Sequence, residues 1–210
     1  MAKSRYILAA YLLSLFLAVG FAGGAVAEPN APDEGDRLYH KGHYEKAIAW
    51  WKDAAIKGNP NAQYRLGVAY SDGVARDKEV IVARDFTEAA KWYTMSAEMG
   101  DERAQFDLGA LYDNGAGVKR DYAQAAKWYL ASAERGHMAS QYNVAVMFET
   151  GTGVAQDLVA AYKWYYLAAE QDFVEFGGPA LEALAGKLKP DEVRKAITMA
   201  KDFEMKPGAY

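Results

Sequence analysis

The 210-residue sequence has no cysteine. Disulfides, thiolate zinc sites, cysteine nucleophiles and lipidation through an N-terminal cysteine are thereby excluded. Histidine is almost as scarce, with His40, His43 and His137 alone. Excess positive charge is also missing. Lys and Arg number 24 against 28 Asp and Glu, giving a formal charge of −4 and a pI near 5.5. A protein that grips a phosphate backbone needs clustered cations to displace counterions, so nucleic acid is not an expected partner. No Asn-x-Ser/Thr sequon occurs. Half of the residues are hydrophobic and a quarter charged, the balance of a globular chain rather than a disordered one.

The one long apolar run lies at the N-terminus. Lys3 and Arg5 precede the apolar stretch Tyr6 to Val19, and Gly20 to Ala27 ends in Ala25-Val26-Ala27. Basic start, apolar middle and small residues at −3 and −1 predict a signal peptide over 1–27, cleaved between Ala27 and Glu28. Left uncleaved, the 22 uncharged residues from Tyr6 to Ala27 are long enough to anchor the protein in a membrane. Either way the remainder is expected outside the cytoplasm, in the periplasm, secreted, or tethered to the inner membrane and facing the periplasm. The missing cysteines and sequons fit a bacterial periplasm. The 183 residues after Ala27 hold 22 basic and 28 acidic side chains, a charge of −6.

The rest of the chain repeats. Residues 62–67 read AQYRLG, 104–109 AQFDLG and 140–145 SQYNVA, each followed in register by an aromatic residue, Tyr70, Tyr112 or Phe148. AAKWY recurs at 89–93 and 125–129, and AYKWY at 161–165. Trp92, Trp128 and Trp164 are spaced by 36, and Trp50 precedes Trp92 by 42, the period plus a six-residue insertion in the charged loop around Val74–Glu79. A period in the mid-thirties marks stacked helix pairs, in which no unit buries its apolar face alone. Ala62, Leu66, Ala69 and Tyr70 form the stripe of a first helix, and Ala89, Trp92, Tyr93 and Ala97 that of a second. Gly58, Gly100 and Gly136 end second helices, and Asn59 and Asp101 cap the first helices that follow. Asp85, Asp121 and Asp157 stand at the N-cap of second helices, with Glu88 and Gln124 placed for a capping box. Gly115-x-Gly117-Val118 and Gly151-x-Gly153-Val154 form the turns between.

This pattern resembles the Sel1-like repeat family, an offshoot of the tetratricopeptide-like helical solenoids. Residues 104–136 carry nearly every family element, 62–100 and 140–171 depart slightly, and 33–58 keep Gly42, Ala47, Trp50 and Gly58. The resemblance implies an all-α, right-handed α/α solenoid of antiparallel helix pairs. Its parts are a degenerate opening repeat at 28–58, three repeats at about 59–100, 101–136 and 137–172, and a C-terminal helical cap with a tail at 173–210. In the cap, helices are expected over Pro179 to Lys187 and from Asp191 to about Glu204. The family implies a scaffold or adaptor that binds other proteins. Cysteine-rich relatives are associated with β-lactam binding, a property not carried over to a chain without cysteine.

Signs of chemistry are few. His43 and His137 fall in capping register, and His40 and His43 are three apart with Gly42 between them and no third ligand nearby. No Ser-His-Asp signature occurs, and the Gly-x-Gly turns lack the strand that a phosphate loop needs. No catalytic residue, metal or cofactor is expected. Repeat proteins bind on the concave face made by their first helices. There the aromatic column Tyr64, Phe106 and Tyr142 stands beside changing residues: Arg65, Asp107 and Asn143, then Ser71, Asp113 and Glu149, with Val68 among them. Aromatic anchors ringed by variable polar groups suit a peptide groove; the plainer alternative is that the rings pack against the adjoining unit and the polar groups are solvated. The expected function is a non-enzymatic, exported scaffold or regulator that binds a protein or peptide. The alternative is a cell-wall ligand binder or envelope enzyme using the same groove.

Overall fold

A computed structural model describes residues 33–171 and 174–208, without the side chains of 174–176. The expected signal segment and its Ala27–Glu28 cleavage site lie outside the described residues. Among the described residues, ten helices and one hairpin follow in order: α1 (Glu34–His40), α2 (Tyr44–Ile56), α3 (Pro60–Asp72), β1 (Val74–Arg76), β2 (Glu79–Val82), α4 (Phe86–Glu98), α5 (Glu102–Asn114), α6 (Tyr122–Ala133), α7 (Met138–Thr150), α8 (Leu158–Glu170), α9 (Val174–Ala185) and α10 (Pro190–Lys201). Each helix packs chiefly on its sequence neighbours, α3 on α4, α5 on α6 and α7 on α8, while α9 and α10 both cover α8. This is an α/α solenoid. The first helices α3 and α5 also touch one another.

The caps stand where the sequence places them. Asn59 accepts from the Ala62 amide, Asp101 from Arg103 and Ala104, and Asp85 from Thr87 and Glu88. Asp121 and Asp157 cap α6 and α8 in the same way, and the His137 ring accepts from the Ser140 amide at 3.3 Å. His43 occupies the cap of α2 without a side-chain hydrogen bond. The capping box does not form as expected. Its return donor, the N–H of the cap residue, goes instead to the preceding first helix: Asp85 to the Tyr70 carbonyl at 2.8 Å, Asp121 to Tyr112 at 2.9 Å and Asp157 to Phe148 at 2.9 Å. Glu88, released from that role, pairs with Lys91.

Two other expectations change. The inserted loop folds into a hairpin, with Ala75 opposite Val80 and Arg76 opposite Glu79, and Val74 and Val82 buried. The β-branched Val80, Ile81 and Val82 favour that extended form. The first helix of the cap starts at Val174 rather than Pro179, so Pro179 lies inside it. Gly177 rests against Ala169 and the Tyr165 carbonyl there.

Small residues set the spacing between helices. A Cβ on Gly67 would lie 2.4 Å from the Tyr93 ring, and one on Gly109 2.8 Å from Tyr129. Gly35 is held against Trp51 in the same manner, at 2.3 Å, which identifies α1 as the first helix of the opening unit. Gly117, at φ +70°, approaches the Phe86 backbone so closely that a Cβ would fall 2.2 Å from its carbonyl carbon. The turn of one unit thus docks on the start of the previous unit's second helix.

Candidate functional site

The face of the first helices is built on a row of aromatic side chains from the second helices. Tyr93, Tyr129 and Tyr165 are buried at one repeat position, which Trp51 fills in the opening unit. Over them lies the column from the first helices. Tyr64 stands 5.9 Å from Tyr93, Phe106 5.8 Å from Tyr129 and Tyr142 5.3 Å from Tyr165, centroid to centroid. The next unit adds to this packing: the Arg103 guanidinium sits 4.3 Å over the Tyr64 ring, and His137 lies 4.6 Å from Phe106. The column therefore packs within its own units and, at Tyr64 and Phe106, against the following one. All three rings are half-buried. Burial, foremost, pushes the Tyr64 hydroxyl up to about 12.

The changing polar positions are tied to the same row. Tyr93 hydrogen-bonds through its hydroxyl to Ser71 of its own unit and to Asp107 of the next. Tyr129 hydrogen-bonds to Asn143 of the next unit and feels the charge of Asp113 in its own. Tyr165 donates to Glu149 at 3.0 Å, and Lys187 donates to the other Glu149 oxygen at 2.8 Å. Arg65 donates from Nη2 to Asp36 Oδ2 at 2.6 Å. So 65, 107 and 143 each reach back one unit, while 71, 113 and 149 face the tyrosine of their own.

Burial shapes the charge on this face. Asp107 is pushed up to about 6, by desolvation first, with Asp72 and Asp101 adding to the rise and Tyr93 and Arg103 opposing it. Glu149 is held low, mainly by Lys187. Burial lowers His137, against an opposing pull from Glu102.

Two cavities open between successive first helices. One, of about 120 Å³, lies between α1 and α3 over Trp51, walled by Asp36, Tyr39, Arg65, Val68 and Ala69. The other, about 370 Å³, lies between α5 and α7 over Tyr129, walled by Asp113, Tyr142, Asn143, Val146 and Met147. They occupy equivalent positions: Trp51 matches Tyr129, Arg65 matches Asn143 and Val68 matches Val146. Along this strip of first-helix residues, Arg65 and Val68 line the first cavity, Asp113, Tyr142 and Asn143 line the second, and Ser71, Asp107 and Glu149 meet the tyrosine row.

Buried Gln63, Gln105 and Gln141 went unassigned in the sequence. Each donates from Nε2 to a carbonyl eight residues earlier, at Ala55, Ala97 and Ala133, at 3.1, 2.9 and 3.3 Å. Their recurrence in the AQ/SQ register was the signal that could have found them. Among the described residues no group of three His, Asp or Glu side chains is placed to hold a metal. Among the same residues no helix is long and apolar enough to cross a membrane.

Antiparallel helix pairs at a period of 36, joined turn to helix start through glycine, define an α/α repeat solenoid. The Sel1 repeat model matches residues 35–59, 60–101, 102–137 and 139–173. The chain belongs to the Sel1 repeat family. It is similar to the crystal structure of a Sel1 repeat protein from Oxalobacter formigenes, at 32% identity over 65% of this chain and 54% of that one, with a TM-score of 0.58. It is also similar to c5321, a protective antigen of uropathogenic Escherichia coli strains displaying an SLR fold, at 27% identity over 80% of this chain and 44% of that one, with a TM-score of 0.49. The chain spans about half the length of these relatives. No curated protein matches it. Sel1 repeat proteins generally mediate protein–protein interactions.

Proposed function

We propose that this protein is an exported, non-enzymatic scaffold that holds an extended segment of a protein partner along the first-helix face. The observation that carries this reading is the strip itself. Half-buried Tyr64, Phe106 and Tyr142 are locked in place by the rings beneath them, and polar groups of differing chemistry are fixed at each unit by the tyrosine row. A surface whose side chains are already ordered loses little conformational entropy when a peptide lies on it. Position 107 presents a carboxylate, 143 an amide and 65 a paired guanidinium, so each unit offers its guest a different partner. Export is supported by the basic, apolar and small-residue parts of residues 1–27, with cleavage after Ala27.

The test is cross-linking in the native host with an affinity-tagged protein, followed by mass spectrometry of what co-purifies. One or two envelope proteins recovered above a tagged control would support the scaffold. Recovery of cell-wall fragments instead, with no protein partner, would contradict it and favour a ligand-binding groove.

A further inference from the structure

Position 113 differs from its equivalents in one chemical respect. The same register holds Ser71 one unit earlier, which hydrogen-bonds with Tyr93, and Glu149 one unit later, which Lys187 of the cap meets at 2.8 Å. Asp113 bears on the Tyr129 hydroxyl by charge and has no ion pair among the described residues. It stands half-buried in the wall of the cavity of about 370 Å³ between α5 and α7, beside Tyr142, Val146 and Met147.

The surroundings favour a cation. The last turns of α5 and α7 both reach this cavity, and neither holds a basic residue. The carbonyl end of a helix attracts positive charge. Asp107 adds its own negative charge at Tyr129. The cavity over Trp51 is different, since Arg65 already pairs with Asp36 there at 2.6 Å. A metal ion needs several ligands, and among the described residues no group of three His, Asp or Glu is placed to supply them. The complement is an ammonium on an alkyl stem. Val146, Met147 and the Tyr142 ring give apolar wall for the methylenes, and Asp113 accepts from the charged end. The Thr150 and Thr152 hydroxyls at the rim can accept its remaining N–H groups. Glu149 displays that pairing one unit on, where Tyr165 donates to one carboxylate oxygen at 3.0 Å and Lys187 to the other. We infer that the cavity over Tyr129 binds a lysine side chain of the partner segment, with its ammonium on Asp113; the inference rests on the peptide-binding reading above. Positions 71 and 149 hold a serine and a glutamate already paired, so this unit alone of the three calls for a lysine. The site would thereby fix the register of the segment on the strip.

The probe is acetyl-Ala-Ala-Lys-Ala-Ala-amide, titrated into the full-length protein with ¹³C in its Val and Met methyl groups. The Val146 and Met147 signals are predicted to shift saturably, with a Kd on the order of 1 mM at low salt. Norleucine in place of the lysine keeps the stem, and Nε-acetyl-lysine keeps the length. Each should bind about three- to fivefold more weakly. Salt at about 1 M should remove that difference. Asp113→Asn keeps the shape and removes the charge. It should bring the lysine peptide down to the affinity of the norleucine peptide and leave the latter unchanged. Unaltered Val82 and Met95 signals in the free variant show that it is folded. No saturable shift, equal affinity for the three peptides, or a lysine preference that survives Asp113→Asn would overturn the inference. A lysine preference that Asp113→Asn removes, in a protein that captures no partner in its host, would keep the ammonium site and overturn its use by a peptide partner. A partner captured equally well by Asp113→Asn, with equal affinity for the three peptides, would keep the strip and overturn the lysine site.

Discussion

Single residues explain the charge behaviour and the closeness of the helices. Asp107 has an ordinary value of 3.8 and stands at about 6 in the fold, because burial, with Asp72 and Asp101 adding to it, outweighs Tyr93 and Arg103. The folded protein therefore binds this proton more tightly than the unfolded chain. Asp107 favours the fold least above pH 6, and stability should rise as pH falls from 6 toward 4. Asp107→Asn is expected to raise stability at pH 7 by up to about 2 kcal/mol and to flatten that segment of the profile. Urea midpoints measured at pH 4, 5, 6 and 7 check both. Gly67 and Gly109 act through the space they leave. Alanine at either should push the Tyr93 or Tyr129 ring off its seat and cost about 1–3 kcal/mol in thermal unfolding. The Leu-Gly register was legible in the sequence at 66–67 and 108–109. The ring above it was not, since Tyr93 lies 26 residues away and nothing local points to that contact.

At the level of helices and turns, the period and the caps could be read from residue spacing alone, because a cap is made within three residues of itself. The failures were non-local. Glu88 sits where a capping box wants it, yet the Asp85 amide has a better acceptor in the Tyr70 carbonyl, presented by the neighbouring helix. Gln105, which carried no assignment in the sequence, is buried and donates to the Ala97 carbonyl at the end of α4. Gln105→Leu takes one of two donors from that carbonyl, which keeps the Gly100 amide at 3.0 Å, and should cost about 0.5–1 kcal/mol, whereas Asp121→Ala, which leaves the Ala123 and Gln124 amides without their cap, should cost about 1–2 kcal/mol. Chemical denaturation of the two variants side by side orders these effects. The hairpin β1–β2 was hidden by its length, since seven residues of strand carry too little periodicity to outweigh the charged loop around them.

Across the whole molecule, stability is expected to be shared between neighbouring units, because each helix packs mainly on the next. The cap matters accordingly. α9 and α10 bury Leu184, Ala196 and Ala200 over the face of α8 that holds Trp164 and Tyr165. Ending the chain at residue 173 should cost on the order of 3–5 kcal/mol and lower Tm by roughly 10 °C, with aggregation following unfolding. The functional strip was partly legible: the sequence named the positions on the first helices, and the fold joins them. It did not reveal that Arg65, Asp107 and Asn143 are bound to the preceding unit, which makes alanine there a change to the scaffold as well as to its surface. Val68, Ala110 and Val146 are cleaner probes of the same face. A photo-reactive amino acid placed at each of these three positions, and at the exposed Met95 and Lys127 of the second helices as controls, tests the central claim most directly. Irradiation in the native host is predicted to yield a discrete protein adduct from positions 68, 110 and 146 and none from 95 or 127. Adducts from the second-helix positions alone would contradict it.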